Sequence, residues 1–289
     1  MLSSRKDLEV NLKEDEQKAM KEILKIGTSA GGVRPKAVIA FNKKSGEVRS
    51  GQTNAPKGFE HWLIKLDGVS NTQFGSSHGL GRVEYAYYLM AKDCGINMMD
   101  CELFEENERT HFMTKRFDRE GSKTKHHIQT FCGIQHFDYN NLYGYSYEQL
   151  FQTMRMLKMT YPEAEQMFRR MVFNAMATNY DDHTKNFSFR LKLDGKWELA
   201  PAYDVCYSYA SDNIWVSQHT LSINGKHQGL NKADFMEIAK ANNIKKGEKI
   251  IKEIKETVCS WPQYAEKVKV SSALKDNITK TLVALKFEL

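Results

Sequence analysis

An amphipathic run from Tyr161 to Asn179, rich in Met and Phe, ends in Asp181-Asp182-His183-Thr184-Lys185-Asn186. The run is long enough for one buried-faced helix, and Pro162 sits near its start, where a missing N–H costs nothing. Phe187-Ser188-Phe189-Arg190-Leu191 and Trp197-Glu198-Leu199-Ala200 then alternate like strands around the turn Leu193-Asp194-Gly195. A chain with this pattern holds its acidic and polar cluster in a helix-to-strand loop, a common place for chemistry.

Upstream of residue 118 the pattern is richer in strands. Residues 1–25 are charged and helix-compatible, with Leu8, Leu12, Ala19, Ile23 and Leu24 loosely on one face. A small-residue loop from Ile26 to Lys36 precedes the strand-like Ala37 to Phe41. A turn and return strand follow over Lys43 to Gly51, and another strand over His61 to Leu66. Leu80 to Cys94 has helical period, with Val83, Tyr87, Met90 and Ala91 on one stripe and Gly95 as C-cap. Cys101 to Phe104 and His111 to Phe117 read as a hairpin that turns at Glu106-Asn107-Glu108. Beyond residue 118 helices dominate, from Tyr147 to Met159 and again from Asn231 to Leu289, where Pro262 is the main interruption. The methionines at 154, 156, 159, 167, 171 and 176 read as core filler. The expected fold is α+β in two lobes with a nucleotide cleft between them: a β-rich lobe over 1–118 and a mainly α-helical lobe over 119–289.

Composition narrows the class of protein. Hydrophobic content of 41% and charged content of 27% describe an ordinary globule. The five cysteines are odd in number and lack C-x-x-C spacing, which argues against a disulfide framework and a structural zinc site. The net charge of +6 is spread thinly. It suits an anionic ligand or an acidic partner surface, and it does not predict direct sequence-specific nucleic-acid binding. With no apolar run of transmembrane length and no apolar leader, the expected location is cytoplasmic, without membrane association, and export into another cell stays open.

Asp181 stands five positions before Asn186, and Asp204 closes Pro201-Ala202-Tyr203-Asp204 beyond the hairpin. Magnesium-dependent phosphoryl transfer from ATP needs such a set. One carboxylate receives the acceptor hydroxyl's proton, while an amide oxygen and a second carboxylate hold the metal. His183 suits an orienting hydrogen bond, and Lys185 can reach a phosphate. In the loop from Gly27 to Lys36, Gly31-Gly32 lets backbone N–H groups approach phosphate oxygens, and Arg34 and Lys36 add positive charge. A plain surface turn is the other reading of that loop. Lys65, set among Trp62, Leu63, Ile64 and Leu66, either reaches phosphates while pairing with Glu84 or points to solvent on an edge strand.

Five collinear motifs resemble the HipA family of bacterial serine/threonine kinase toxins. They are residues 27–36, 62–66, 115–119 (Lys-Arg-Phe-Asp-Arg), 181–188 and 201–204. The resemblance implies a two-lobed protein-kinase-like (HipA-like) fold, with ATP and Mg2+ as cofactors. It implies Asp181 as catalytic base and Asn186 and Asp204 as metal ligands. Nucleotide contacts would come from Gly31, Gly32, Val33, Arg34, Pro35 and Lys36 over the phosphates. Lys65 would contact phosphate, and Lys115, Arg116 and Phe117 would form a hinge holding adenine through its backbone. His183, Thr184, Lys185 and Tyr203 would line the pocket, and Ser29 would be the autophosphorylated loop serine. Aminoacyl-tRNA synthetases are the implied class of protein substrate.

There are departures from the family pattern. Asp182 stands where some relatives have Gly, and is expected either to weaken nucleotide binding or to face solvent. Lys115 replaces a common Glu. The Gly-rich loop begins near residue 27, which leaves no room for the extra N-terminal subdomain and is similar to the HipT branch. That branch implies a small HipS-like antitoxin docking on the β-rich lobe and a HipB-like DNA-binding antitoxin. Two further readings stay open, a catalytically inactive kinase-like module that binds an antitoxin or DNA, and a small-molecule phosphotransferase.

Overall fold

The computed structural model describes residues 8–27, 34–70, 73–74, 77–121 and 124–284. The chain divides into two compact units, one drawn from Met1–Tyr85 and Met99–His126, the other from Ala86–Met98 and His127–Leu289.

The first unit is built on a six-stranded antiparallel sheet. Its elements begin with β1 (Glu9–Asn11), α1 (Glu16–Gly27), β2 (Lys36–Phe41), β3 (Glu47–Ser50) and β4 (Glu60–Lys65). The short ladder β5 (Val69–Ser70) with β6 (Gln73–Phe74) comes next, then α2 (Leu80–Asp93), inside which the division into units falls. The hairpin of β7 (Cys101–Glu106) and β8 (Arg109–Lys115) completes the sheet in the order β1-β3-β2-β4-β8-β7, and β9 (Arg119–Glu120) pairs with β10 (Thr124–Lys125). The β7–β8 turn sits at Asn107 and Glu108, both at positive φ, the geometry that matches strand twist in a two-residue hairpin.

The start of the chain departs from the expected helix. Residues 9–11 form a strand paired with β3. Leu8, Val10 and Leu12 stand at every second position and pack on the same core, so the two-residue period prevails over the helical one. α1 begins only after Asp15, whose carboxylate accepts from Lys18 N at 2.9 Å. Its Met20, Ile23 and Leu24 cover Ile39, Val48, Trp62, Ile64 and Met113 of the sheet. At the other end of this unit Asp67 accepts from the N–H groups of His78 and Gly79, just ahead of α2. Gly81 lets the first turn of α2 pass close to β8, because a Cβ there would lie 2.1 Å from Thr110 O.

The second unit is mainly helical. It contains β11 (His127–Thr130), α3 (Phe131–Gln135), β12 (Tyr145–Ser146), α4 (Tyr147–Met156) and α5 (Tyr161–Met176). β13 (Ser188–Leu191), β14 (Trp197–Leu199) and β15 (Leu221–Ser222) follow, then α6 (Lys232–Ala241), α7 (Gly247–Cys259), α8 (Trp261–Lys267) and α9 (Ser272–Ala284). β11, β13 and β14 form an antiparallel sheet, and β12 runs parallel to β15. α4 begins with a reciprocal capping box between Ser146 and Gln149. The helical tail is interrupted at Pro262 as expected, with α7 ending at Cys259 and Pro262 in the first turn of α8. Met154, Met167, Met171 and Met176 are buried as expected of core filler, whereas Met156 in the last turn of α4 is 69% exposed. The end of a helix presents its sides to water where no neighbour covers it. No helix among the described residues is long and apolar enough to cross a membrane.

Candidate active site

In the first unit, Lys65 ends β4 with its side chain turned inward. Its Nζ lies 2.5 Å from Glu84 Oε1 on α2, and the two side chains are only 7% and 2% exposed. Arg34 NH1 donates to the other oxygen of the same carboxylate at 2.8 Å. One buried Glu therefore holds two of the expected phosphate-contacting cations, and Lys65 is not a solvent-facing edge lysine. A charge this deep is costly unless paired. Lys36 lies opposite Lys65 across the β2–β4 ladder, and Pro35 O accepts from Leu66 N at 2.8 Å. Ser29, Gly31, Gly32 and Val33 lie outside the described residues.

The hinge-like segment closes β8. Lys115 pairs with Glu60 on the neighbouring strand, so the Lys that stands at a Glu position finds its charge partner locally. Its backbone N–H donates to Asp100 O, and that of Arg116 to His61 O, each at 2.9 Å. Those two donors are committed. The Arg116 and Arg119 guanidinia converge on Asp118, and Asp118 titrates below the usual carboxylate range because these pairings outweigh its burial.

In the second unit, α5 delivers the polar loop. Its end is closed by Asn179 Nδ2 donating to Asn174 Oδ1 at 3.0 Å. Asp182 then turns into the interior and is 1% exposed. Its carboxylate accepts from Thr220 N at 2.8 Å and Tyr147 OH at 2.9 Å, and meets His219 Nδ1 at 3.0 Å. The expectation that Asp182 faces solvent is thus overturned: three donors from two other segments hold it inside. Tyr147 is fully enclosed, and burial beside Asp182 raises its pKa well above the phenol range.

With Asp182 anchored, its neighbours are fixed. Asp181 is 40% exposed at the side chain, and His183 Nε2 lies 3.6 Å from its Oδ1. Asn186 Nδ2 donates to Asp181 O at 2.6 Å, which commits the amide nitrogen and leaves Oδ1 as the ligand atom. Lys185 Nζ sits 3.2 Å from the centre of the Tyr139 ring. Thr184 is buried, and its carbonyl accepts from Cys132 N at 3.0 Å. The β13–β14 hairpin carries the chain back beside the loop. Tyr203 OH donates to Lys185 O at 2.6 Å and lies 2.5 Å from Ser188 Oγ. Asp204 follows at φ +55°, a left-handed conformation uncommon for a residue with a Cβ. Asn186, Tyr203 and Asp204 line one pocket with Asp182, Asn174, Asn179 and Arg170. Asp181 is not part of that lining.

Among the described residues no three His, Cys, Asp or Glu gather as a metal cluster. One amide oxygen and one carboxylate in a shared pocket do fit a hard cation such as Mg2+, which takes few protein ligands and fills its remaining positions with water and phosphate. Arg170, Tyr147 and His219 were not singled out in the sequence. Arg170 left a trace there, as a charge inside the Met167–Met176 apolar stripe, while the other two act through contacts distant in sequence.

A family profile described as "HipA-like C-terminal domain" matches residues 28–262. No curated protein matches the chain. Among solved structures it is similar to a chain of the Shewanella oneidensis MR-1 toxin–antitoxin complex of HipA, HipB and operator DNA. The TM-score is 0.61 at 17% identity, over 89% of this chain and 63% of that one. It also matches the Helicobacter pylori proinflammatory kinase CtkA with a TM-score of 0.47 at 12% identity, over 88% and 93% of the two chains. This chain therefore spans less than two thirds of the length of the Shewanella protein. The likeness to that protein is one of fold, and it agrees with the α+β class read from the sequence.

Proposed function

The chain belongs to the HipA-like C-terminal domain family, and from that premise we propose that it is an ATP- and Mg2+-dependent serine/threonine protein kinase. The observation that carries this reading is the shared pocket of Asn186 and Asp204, with Asn186 fixed by the carbonyl of Asp181. When bound, Mg2+ would neutralise phosphate charge there, with Asn186 Oδ1 and the Asp204 carboxylate holding it. Asp181 is exposed enough to meet an incoming hydroxyl, and in this reading it takes that proton as general base. His183 lies beside it in position to orient it. Lys65, held by Glu84, and Arg34 supply positive charge for the phosphates. The β-rich lobe of residues 1–118 would carry the phosphate and adenine contacts, and 119–289 the catalytic and metal loops.

The same reading makes the chain the toxin of a HipA/HipT-type system, acting in the cytoplasm on a protein such as an aminoacyl-tRNA synthetase. Ser29 is its autophosphorylation site. HipS-like and HipB-like antitoxins are the expected partners, and the HipA–HipB–DNA complex of the similar Shewanella protein supports the second. Radiolabelled ATP incubated with the protein alone tests the reading. Label on Ser29, lost in Asp181→Asn, is expected. ATP binding without transfer to any protein would sink the protein kinase assignment. No ATP binding at all would leave an inactive binding module.

A further inference from the structure

Arg170 lies on α5 among the buried Met167, Phe168, Met171 and Phe173, and is itself 5% exposed. Its Nε is enclosed with no hydrogen-bond partner, and among the described residues its guanidinium forms no ion pair, with the Tyr203 phenol as its electrostatic neighbour. Burial lowers its pKa to about 10, so it remains charged at neutral pH. A cation kept this way is costly, and a Met or Leu would fill the same space without that cost. Arg170 lines the pocket that also holds Asn186 and Asp204. The other pocket acid, Asp182, is committed to Tyr147, His219 and Thr220. Asn179 Oδ1, on the same pocket, also lacks a partner, but a neutral amide oxygen does not balance a cation.

We propose that Arg170 is a positioning residue for the metal–phosphate site: its fixed charge, held in no ion pair among the described residues, makes Asn186 and Asp204 accept a divalent cation together with nucleotide phosphates and disfavours the bare cation. The inference rests on the nucleotide-site reading above. In a low-dielectric pocket a positive charge repels an incoming Mg2+ or Mn2+ and attracts the polyanion that accompanies it. One side chain thus acts with opposite sign on the two ligands. The stability given up to keep it buried is then recovered when phosphate arrives.

Arg170→Met and Arg170→Gln test this through three measurements on the full chain. These are thermal melting of the ligand-free protein, Mn2+ binding alone by electron paramagnetic resonance, and Mn2+–ATP binding by calorimetry. The expected pattern is a higher melting temperature for Arg170→Met, several-fold tighter bare Mn2+, and about tenfold weaker Mn2+–ATP. Arg170→Gln, which keeps donors but not charge, should show the same split in binding. A lower melting temperature with both affinities falling together, or failure of Arg170→Met to fold, would mean ordinary structural support and overturn the inference. A wild-type protein that takes up no Mn2+–ATP would refute the nucleotide-site reading itself, and does so before any variant is compared.

Discussion

Glu84 and Asp182 are almost completely buried carboxylates, and each is satisfied by donors from stretches of chain far apart in sequence. Their roles differ. Glu84 gathers cations, whereas Asp182 fixes a loop through neutral donors and His219. Asp182→Ala would strand Tyr147 OH, Thr220 N and His219 Nδ1 in the interior. Each unpaired buried group costs about 1–3 kcal/mol, so a loss of at least about 3 kcal/mol in urea denaturation is expected. Asp182→Asn, which keeps one acceptor oxygen, should lose less, and equal stability of Asp182→Ala and wild type would refute the anchoring role. The Asp181–Asn186–Asp204 spacing stood out in the sequence because the proposed phosphoryl transfer dictates residue types at fixed intervals; the structure brings Asn186 and Asp204 to one pocket and leaves Asp181 off its lining. The inward turn of Asp182 was not, because nothing local distinguishes a buried aspartate from an exposed one in a polar run.

Within the six-stranded sheet, His61 on β4 and His111 on β8 are buried and both titrate below the ordinary imidazole range. Burial is the main cause for each. For His61 the nearby Arg119 and Arg116 add to it, and for His111 Glu106 partly opposes it. His111 Nδ1 also accepts from Asp67 N at 2.9 Å, so a second proton would break that bond. A depressed pKa contributes stability above the unfolded value of 6.5, and this is lost as pH falls through the folded value. The melting temperature should therefore drop between pH 7 and pH 5.5, with a shallower slope in a His61→Gln, His111→Gln double variant; an unchanged slope would count against this account. At this scale the sequence revealed the long elements, since hydrophobic period and turn residues agree in β2, β4, α2 and the β7–β8 hairpin. It misplaced the segment before α1, where Leu8 and Leu12 satisfy a helical face and a strand face equally well. The two-residue strands, such as β12 and β15, depend on partners far away in the chain and leave no local period.

For the molecule as a whole, the α+β class was readable from the change in pattern near residue 118, because a strand-rich stretch and a helix-rich stretch bury their apolar faces differently. The net charge of +6 said little about which anion is met, since most lysines sit on solvated faces. Under the proposed function, Mg2+ and ATP together should stabilise the fold by mass action, about 2.7 kcal/mol at a hundredfold excess over Kd. Differential scanning fluorimetry should show that shift in the wild type and not in Asp204→Asn. A shift of the same size in both would remove Asp204 from the metal site.

The Asp182 anchor also predicts where genetics will look misleading. Tyr147 and His219 belong to no nucleotide motif, yet they clamp the residue next to the proposed base. A hunt for mutants that have lost phosphorylation should keep returning lesions at those two positions, and their carriers would pass for catalytic casualties while every ligand-facing group is intact.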